Sequence, residues 1–179
     1  TGIDYVPDAI RQARERTQTK SGQLHFLVGD INALELPPAA YDGIVSIDTI
    51  YFSQDYAATV AAFHEALRPG GRLAFLYSFG REPWVSAAEF PAEQLAADKT
   101  PLAVALRANG LGFVAHDLTA DDYLLAQLRR IVLAELRSQF EAEGNLFIYA
   151  NRLGDADGVA AAIEEGQHRR YLYVAAAAE

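Results

Sequence analysis

The sequence predicts an α/β fold built on a mostly parallel sheet. Short apolar runs alternate with stretches of helical period along most of the chain, which is the pattern of strand–helix–strand units. Three of those runs close on an aspartate, at Asp4, Asp30 and Asp48. Strands are expected near 1–4, 24–28, 42–48, 71–78, 112–118 and 169–175. In an open α/β sheet, ligands bind beyond the carboxyl ends of the strands, so the site is expected among these acids.

The pattern centres on Tyr41–Phe52. Ile44, Val45 and Ile47 read as a buried strand, Asp48 stands where that strand ends, and Tyr51 and Phe52 follow within one turn. Before it, Thr1-Gly-Ile-Asp4 reads as the last residues of a strand. Pro7 suits the first position of a helix, where its missing N–H costs nothing. That helix is expected to about Thr19, with a weak apolar face at Ile10 and Ala13. Ser21-Gly22 is a turn, Leu24–Val28 the second strand, and 32–40, with two prolines, a loop.

After the central stretch, Asp55 can cap a helix that carries Tyr56, Val60, Phe63 and Leu67 on one face. Arg68-Pro-Gly-Gly71 stops it, and Arg72–Ser78 is the next strand. Residues 79–100 are irregular apart from a short helix near 92–97. Pro101 opens another helix that ends at Asn109-Gly110, and 112–118 is a strand. Thr119-Ala-Asp-Asp122 has the spacing of a capping box. A long helix follows, with Leu125, Leu128, Val132, Leu136 and Phe140 on one stripe. Gly144 breaks it. A second helical stretch, weakened by Gly154 and Gly158, runs to Gly166, and the last strand follows at 169–174.

Composition narrows the function. A chain of 179 residues, 51% of them apolar, suits one domain with an ample core. The absence of cysteine excludes disulfides and thiolate metal sites. His25, His64, His116 and His168 are scattered without metal-ligand spacing, so no metal is expected. A formal net charge of −9 argues against a nucleic-acid partner and does not oppose a small or cationic ligand. No apolar run is long enough to span a bilayer, so no membrane role and a cytoplasmic location are expected.

A carboxylate at a strand end can accept both hydroxyls of a ribose or the amino hydrogen of an adenine. Capping the following turn is the alternative use of such an acid. Three in register, with Ile3, Ile31 and Ile50 placed to sandwich a flat base, point to a nucleotide-like ligand.

Gly2-Ile-Asp4, Val28-Gly-Asp30, Tyr41-Asp-Gly-Ile-Val-Ser-Ile-Asp48 and Leu67-Arg-Pro-Gly-Gly-Arg-Leu73 resemble the successive motifs of class I S-adenosylmethionine-dependent methyltransferases of small-molecule type. The resemblance covers most of 1–118, and Leu-Arg-Pro-Gly-Gly before a strand is its most specific part. It implies a Rossmann-like, doubly wound sheet whose last strand is antiparallel and inserted beside the strand at 71–78, after a helical insertion. It implies S-adenosylmethionine as cofactor. Asp4 with Tyr5 would hold the ribose, Asp30 the adenine amino group with Ile31 against the ring, and Asp48 and Tyr51 the methionine end. The family's first strand and glycine-rich loop, which lie between the strands ending in Asp4 and Asp48, have no counterpart here, so the chain reads as a fragment of one such domain.

A sulfonium methyl is already activated, so alignment supplies much of the rate. A general base is needed only where the acceptor must lose a proton, and His116 and Tyr51 are the candidates; no catalytic residue is assigned. Residues 79–100 and 119–166 read as lid or substrate-wall insertions, with Tyr51, Trp84 and Tyr149 facing a small acceptor and Phe90 nearby. Core packing or a homodimer interface is the alternative use of those aromatics. A nicotinamide-dependent oxidoreductase and a non-catalytic scaffold are the competing functions.

Overall fold

The computed structural model describes residues 1–82 and 84–177. Six strands and five α-helices alternate as β1 (Gly2–Asp4), α1 (Pro7–Arg16), β2 (Phe26–Val28), β3 (Tyr41–Ile47), α2 (Tyr56–Ala66), β4 (Leu67–Gly80), α3 (Pro101–Ala108), β5 (Leu111–Asp117), α4 (Thr119–Ala142), α5 (Leu146–Glu164) and β6 (His168–Ala177). Strands β1 and β2 pair in parallel. The other four form a sheet in the order β3-β4-β6-β5. Strand β3 runs parallel to β4, while β6 lies between β4 and β5 and opposes both. The antiparallel last strand inserted beside β4 is therefore as expected.

The sheet is divided between β1 and β3, where the resemblance puts a further strand. Strand β3 is thus an edge of the four-stranded sheet rather than a central strand, and Val45 and Ile47 are exposed along it. A polar link joins the two sheets at their carboxyl ends, beside the packing of Ile31, Leu34 and Leu36 against the core. Asn32 donates to the Phe52 carbonyl at 2.9 Å and accepts from the Gln54 amide at 2.8 Å.

One face of the larger sheet is the core. Strand alternation sends Leu73, Phe75 and Tyr77 of β4 and Tyr171, Tyr173 and Ala175 of β6 to the same side. There they bury Val60 and Phe63 of α2 and Leu102 and Leu106 of α3. Asp55 is the expected cap of α2, accepting from the Ala58 amide; α3 opens at Pro101 as expected, and Thr100, which the sequence reading did not single out, caps it by accepting from the Ala103 amide. Pro69-Gly70-Gly71 does more than stop α2. It bulges the start of β4, with Gly70 at φ 79° and with no room for a Cβ at Gly71, 2.9 Å from the Arg68 carbonyl.

The opposite face receives the α4–α5 hairpin. Arg170, Leu172 and Val174 share that face, and α4 touches Arg170 through Asp122. Thr119 and Asp122 do not form a capping box; the Thr119 hydroxyl accepts from the Arg170 amide, and Asp122 turns to His168 and Arg170. The Arg170 guanidinium and the His168 ring, both largely shielded from water, take that carboxylate in place of a helix amide. The stripe of Leu125, Leu128, Val132 and Leu136 faces outward, because α4 seats on the fold through Ala126 and Leu133 on its other side. Gly154 and Gly158 do not interrupt α5.

Residues 81–100 are only partly loose. The Tyr171 hydroxyl donates to the Leu95 carbonyl at 2.6 Å and that of Tyr173 to Ala97 at 2.8 Å. The expected helix at 92–97 is a single 3-10 turn, Ala92–Leu95, pinned by these two tyrosines.

Candidate cofactor and acceptor site

The three acids stand at the carboxyl ends of β1, β2 and β3. Each uses one oxygen to order its own turn. Asp4 Oδ1 accepts from the Val6 amide at 2.8 Å, leading the chain into α1. Asp30 Oδ1 accepts from the amide and side chain of Asn32, at 2.9 and 3.0 Å. Among the described residues, Oδ2 of Asp4 and Oδ2 of Asp30 have no hydrogen-bond partner, and both side chains are exposed. A ribose diol and an exocyclic amine are donors of the kind such oxygens take. Tyr5 is exposed beside Asp4, and Ile31 is half-buried against the core. Ile50 is wholly buried and so is not available to stack on a base.

Asp48 differs from the other two. Its backbone takes φ 50°, a left-handed conformation that costs a non-glycine residue about 1–3 kcal/mol. Both of its oxygens are engaged. Tyr51 donates its hydroxyl to Oδ1 at 2.9 Å, and Arg170 donates to Oδ2 at 2.6 Å. The same Tyr51 oxygen accepts from the Ser78 amide at 2.6 Å, and the Tyr51 ring stacks on Tyr77 at 5.4 Å. The other guanidinium nitrogen of Arg170 reaches Ser78 Oγ at 2.9 Å and lies 3.7 Å from Asp122 Oδ1. His168 Nε2 closes the chain on Asp122 Oδ2 at 3.1 Å. Burial raises the Asp122 carboxyl, but the His168 hydrogen bond and the Arg170 charge outweigh it and hold the group below its ordinary value.

This chain of groups, Tyr51–Asp48–Arg170–Asp122–His168, contains three members that sequence reasoning passed over. Arg170 belongs to no motif in the sequence, Asp122 reads there as a helix cap and His168 as one of four scattered histidines. The one available signal was the even spacing of His168 and Arg170 on β6, which puts both on the face of Leu172 and Val174.

Tyr51 is a poor general base. Burial pushes its hydroxyl up, the Ser78 amide pulls it part of the way back, and the Asp48 charge adds to the rise, from 10.0 to about 12. The folded state therefore holds this proton more tightly than the unfolded chain does. That contribution to stability is complete below pH 10 and is lost as pH rises towards about 12. Alkaline unfolding followed by circular dichroism should show stability falling across that window. Tyr51→Phe should make the fall shallower by roughly 1–2 kcal/mol, allowing for the ring's partial exposure. An unchanged alkaline slope would mean that the hydroxyl is free in solution.

The remaining expected residues are spread out. His116 is exposed on β5, the far edge strand. Trp84 is 80% exposed near the end of β4, where Phe79 packs on Phe90 at 6.4 Å. Tyr149 does not join the cluster. It packs on Phe140 at 5.8 Å in the turn between α4 and α5. Phe140 is about 27 Å along α4 from Asp122, at 1.5 Å per residue. Among the described residues no three acids or histidines gather to hold a metal ion, and no helix is long and apolar enough to cross a membrane.

The strand order, the antiparallel β6 and the acids at the strand ends together define a Rossmann-like fold of the class I methyltransferase type. Residues 1–75 match the family model described as "Methyltransferase domain". Phosphoethanolamine N-methyltransferase 1 of Arabidopsis thaliana is 35% identical over 89 residues, 50% of this chain and 18% of that protein. Haemonchus contortus phosphoethanolamine N-methyltransferase 2, solved with phosphomonomethylethanolamine and S-adenosylhomocysteine, superposes with a TM-score of 0.81 at 16% identity, over 99% of this chain and 43% of that one. The [4+2]-cyclase SpnF superposes at 0.73 with 17% identity, over 98% of this chain and 65% of that one. The chain thus spans less than half the length of the phosphoethanolamine methyltransferases it resembles.

Proposed function

We propose that this protein transfers a methyl group from S-adenosylmethionine to a small-molecule acceptor. The observation that carries this reading is the pair of strand-end carboxylates, Asp4 and Asp30, each with one oxygen spent on its own turn and the other without a partner among the described residues. Asp4 accepts from the ribose hydroxyls with Tyr5 beside it, Asp30 accepts from the adenine amine with Ile31 against the ring, and Asp48 and Tyr51 border the methionine end. When bound, the cofactor supplies an already activated sulfonium methyl. The residues here orient the reactants and exclude water. Tyr51, which keeps its proton on Asp48, contributes a fixed aromatic wall rather than a base.

The acceptor lies on the side of Tyr51 and Trp84, under the 79–100 segment, with the α4–α5 hairpin as the further wall. Aromatic faces suit a flat or cationic acceptor, at about 0.5–2 kcal/mol for each well-placed ring. The acidic surface favours a cation as well. A soluble, cytoplasmic enzyme acting on metabolites, without nucleic-acid or membrane partners and able to form a homodimer, fits this chemistry.

Calorimetric titration of the intact protein with S-adenosylmethionine and with NADH tests the cofactor. Binding of NADH alone would overturn the reading in favour of an oxidoreductase, and binding of neither would favour a scaffold. Methyl-labelled cofactor offered with small amines and hydroxyl compounds then identifies the acceptor. Trp84→Ala should raise the acceptor KM roughly 2- to 30-fold and leave cofactor affinity unchanged. An unaltered KM would remove Trp84 from the acceptor side.

A further inference from the structure

We propose that Arg170 is a positioning residue shared between Asp48 and helix α4, and that a cation arriving at Asp48 is relayed through it to Asp122. This rests on the reading that Asp48 borders the amino-acid end of the cofactor, which carries an ammonium group.

Arg170 is one guanidinium between two carboxylates. It lies 2.6 Å from Asp48 Oδ2 and 3.7 Å from Asp122 Oδ1, so at present it favours Asp48. Its side chain is 17% exposed and that of Asp122 is 5% exposed, so neither charge is left to water. An ammonium at Asp48 competes with the guanidinium for the same carboxylate. Losing a partner is costly for a buried cation, but a second carboxylate is within reach. The guanidinium can shift its weight to Asp122 without becoming unpaired. Asp122 stands in the first turn of α4, and that turn is already joined to Arg170 through its backbone. The Leu118 amide donates to the Arg170 carbonyl at 2.8 Å, and the Arg170 amide to Thr119 Oγ1 at 3.1 Å. His168 holds the far oxygen of Asp122 in place. The two positions of one side chain are the differential contact that a ligand needs in order to act on a distant element. The consequence is a substrate wall that tightens at its root when the cofactor is present.

Linkage makes the coupling reciprocal. Whatever weakens the pull of Asp122 strengthens the grip of Arg170 on Asp48 and so weakens cofactor binding.

The test uses the intact protein with S-adenosylhomocysteine as probe, read by calorimetry and by amide hydrogen exchange. Bound probe should slow exchange over 119–127 as well as over 48–52. Arg170→Met should bind the probe as tightly or more tightly, because Asp48 is freed, while the response at 119–127 disappears. Arg170→Lys should recover part of that response. Asp122→Asn, nearly isosteric and remote from the ligand, should weaken binding about 5-fold. A residue that merely braces the fold predicts the opposite for Arg170→Met: weaker binding with the helix response retained. That result, or a wild-type α4 indifferent to bound probe, overturns the relay alone. No binding of the probe to the wild type overturns the cofactor reading and the relay together. Should Arg170→Met fail to fold, the Lys and Asn variants carry the same contrast.

Discussion

Tyr77→Ala is expected to lower the free energy of unfolding by about 3–5 kcal/mol. Tyr77 is almost completely buried on β4, directly beneath the candidate site. Its ring stacks on Tyr51 at 5.4 Å and on Phe79 at 6.3 Å, and meets Tyr56 and Tyr173 edge-on at 6.3 and 6.2 Å. Removing it leaves a cavity between rigid rings that cannot all collapse inward, because Tyr51 is held by Asp48 and Ser78 and Tyr173 by Thr100. Burial also pushes the Tyr77 hydroxyl far above its ordinary value, as expected for a group that stays neutral in the core. Urea denaturation is the measurement, with Tyr77→Phe as the control. The control keeps the ring and should cost no more than about 1.5 kcal/mol. Similar losses from the two variants would show that the hydroxyl, not the ring, holds the aromatic group together.

The second large effect concerns the cofactor. In the intact protein, Asp4→Ala should weaken S-adenosylmethionine binding by about 1–3 kcal/mol, roughly 5- to 150-fold, because two ribose hydroxyls lose their acceptor. Asp30→Ala should cost less, since an adenine is also held by contact with its faces. One local effect must be separated out: Asp4 Oδ1 also orders the entry to α1 through the Val6 amide. Asp4→Asn keeps that acceptor and removes the charge and one hydroxyl acceptor, so it should fall between wild type and alanine. A folded Asp4→Ala protein with an unchanged dissociation constant would refute the ribose assignment.

The outward stripe on α4 shows where pattern reading ends. Leu125, Leu128, Val132 and Leu136 recur at helical spacing, which correctly marks a helix. The same spacing says nothing about which side the helix presents to the sheet. That was decided by Ala126, Leu133 and the Asp122 carboxylate on the other side, one of them drawn in by a cation on β6. The 92–100 segment is a second case. Its own residues read as a short helix near 92–97, and what holds the single turn found there is a pair of tyrosine hydroxyls 76 residues further along the chain.

The sequence by itself determined the kinds and order of the elements and the acids that end three strands. Both depend on local rules: the period of apolar side chains, the φ of proline and glycine, and the habit of short polar residues at strand ends. The match of residues 1–75 to the methyltransferase domain rests on that same local layer. Only the tertiary structure decided that Asp48 is held by Arg170, 122 residues away, that Asp122 serves this cation rather than its own helix, and that Tyr149 sits at the far end of a hairpin. Ion pairs of this kind leave no period in the chain. Their strength comes from desolvation and from distances of 2.6–3.7 Å, which exist only once β3, β4, β6 and α4 have packed.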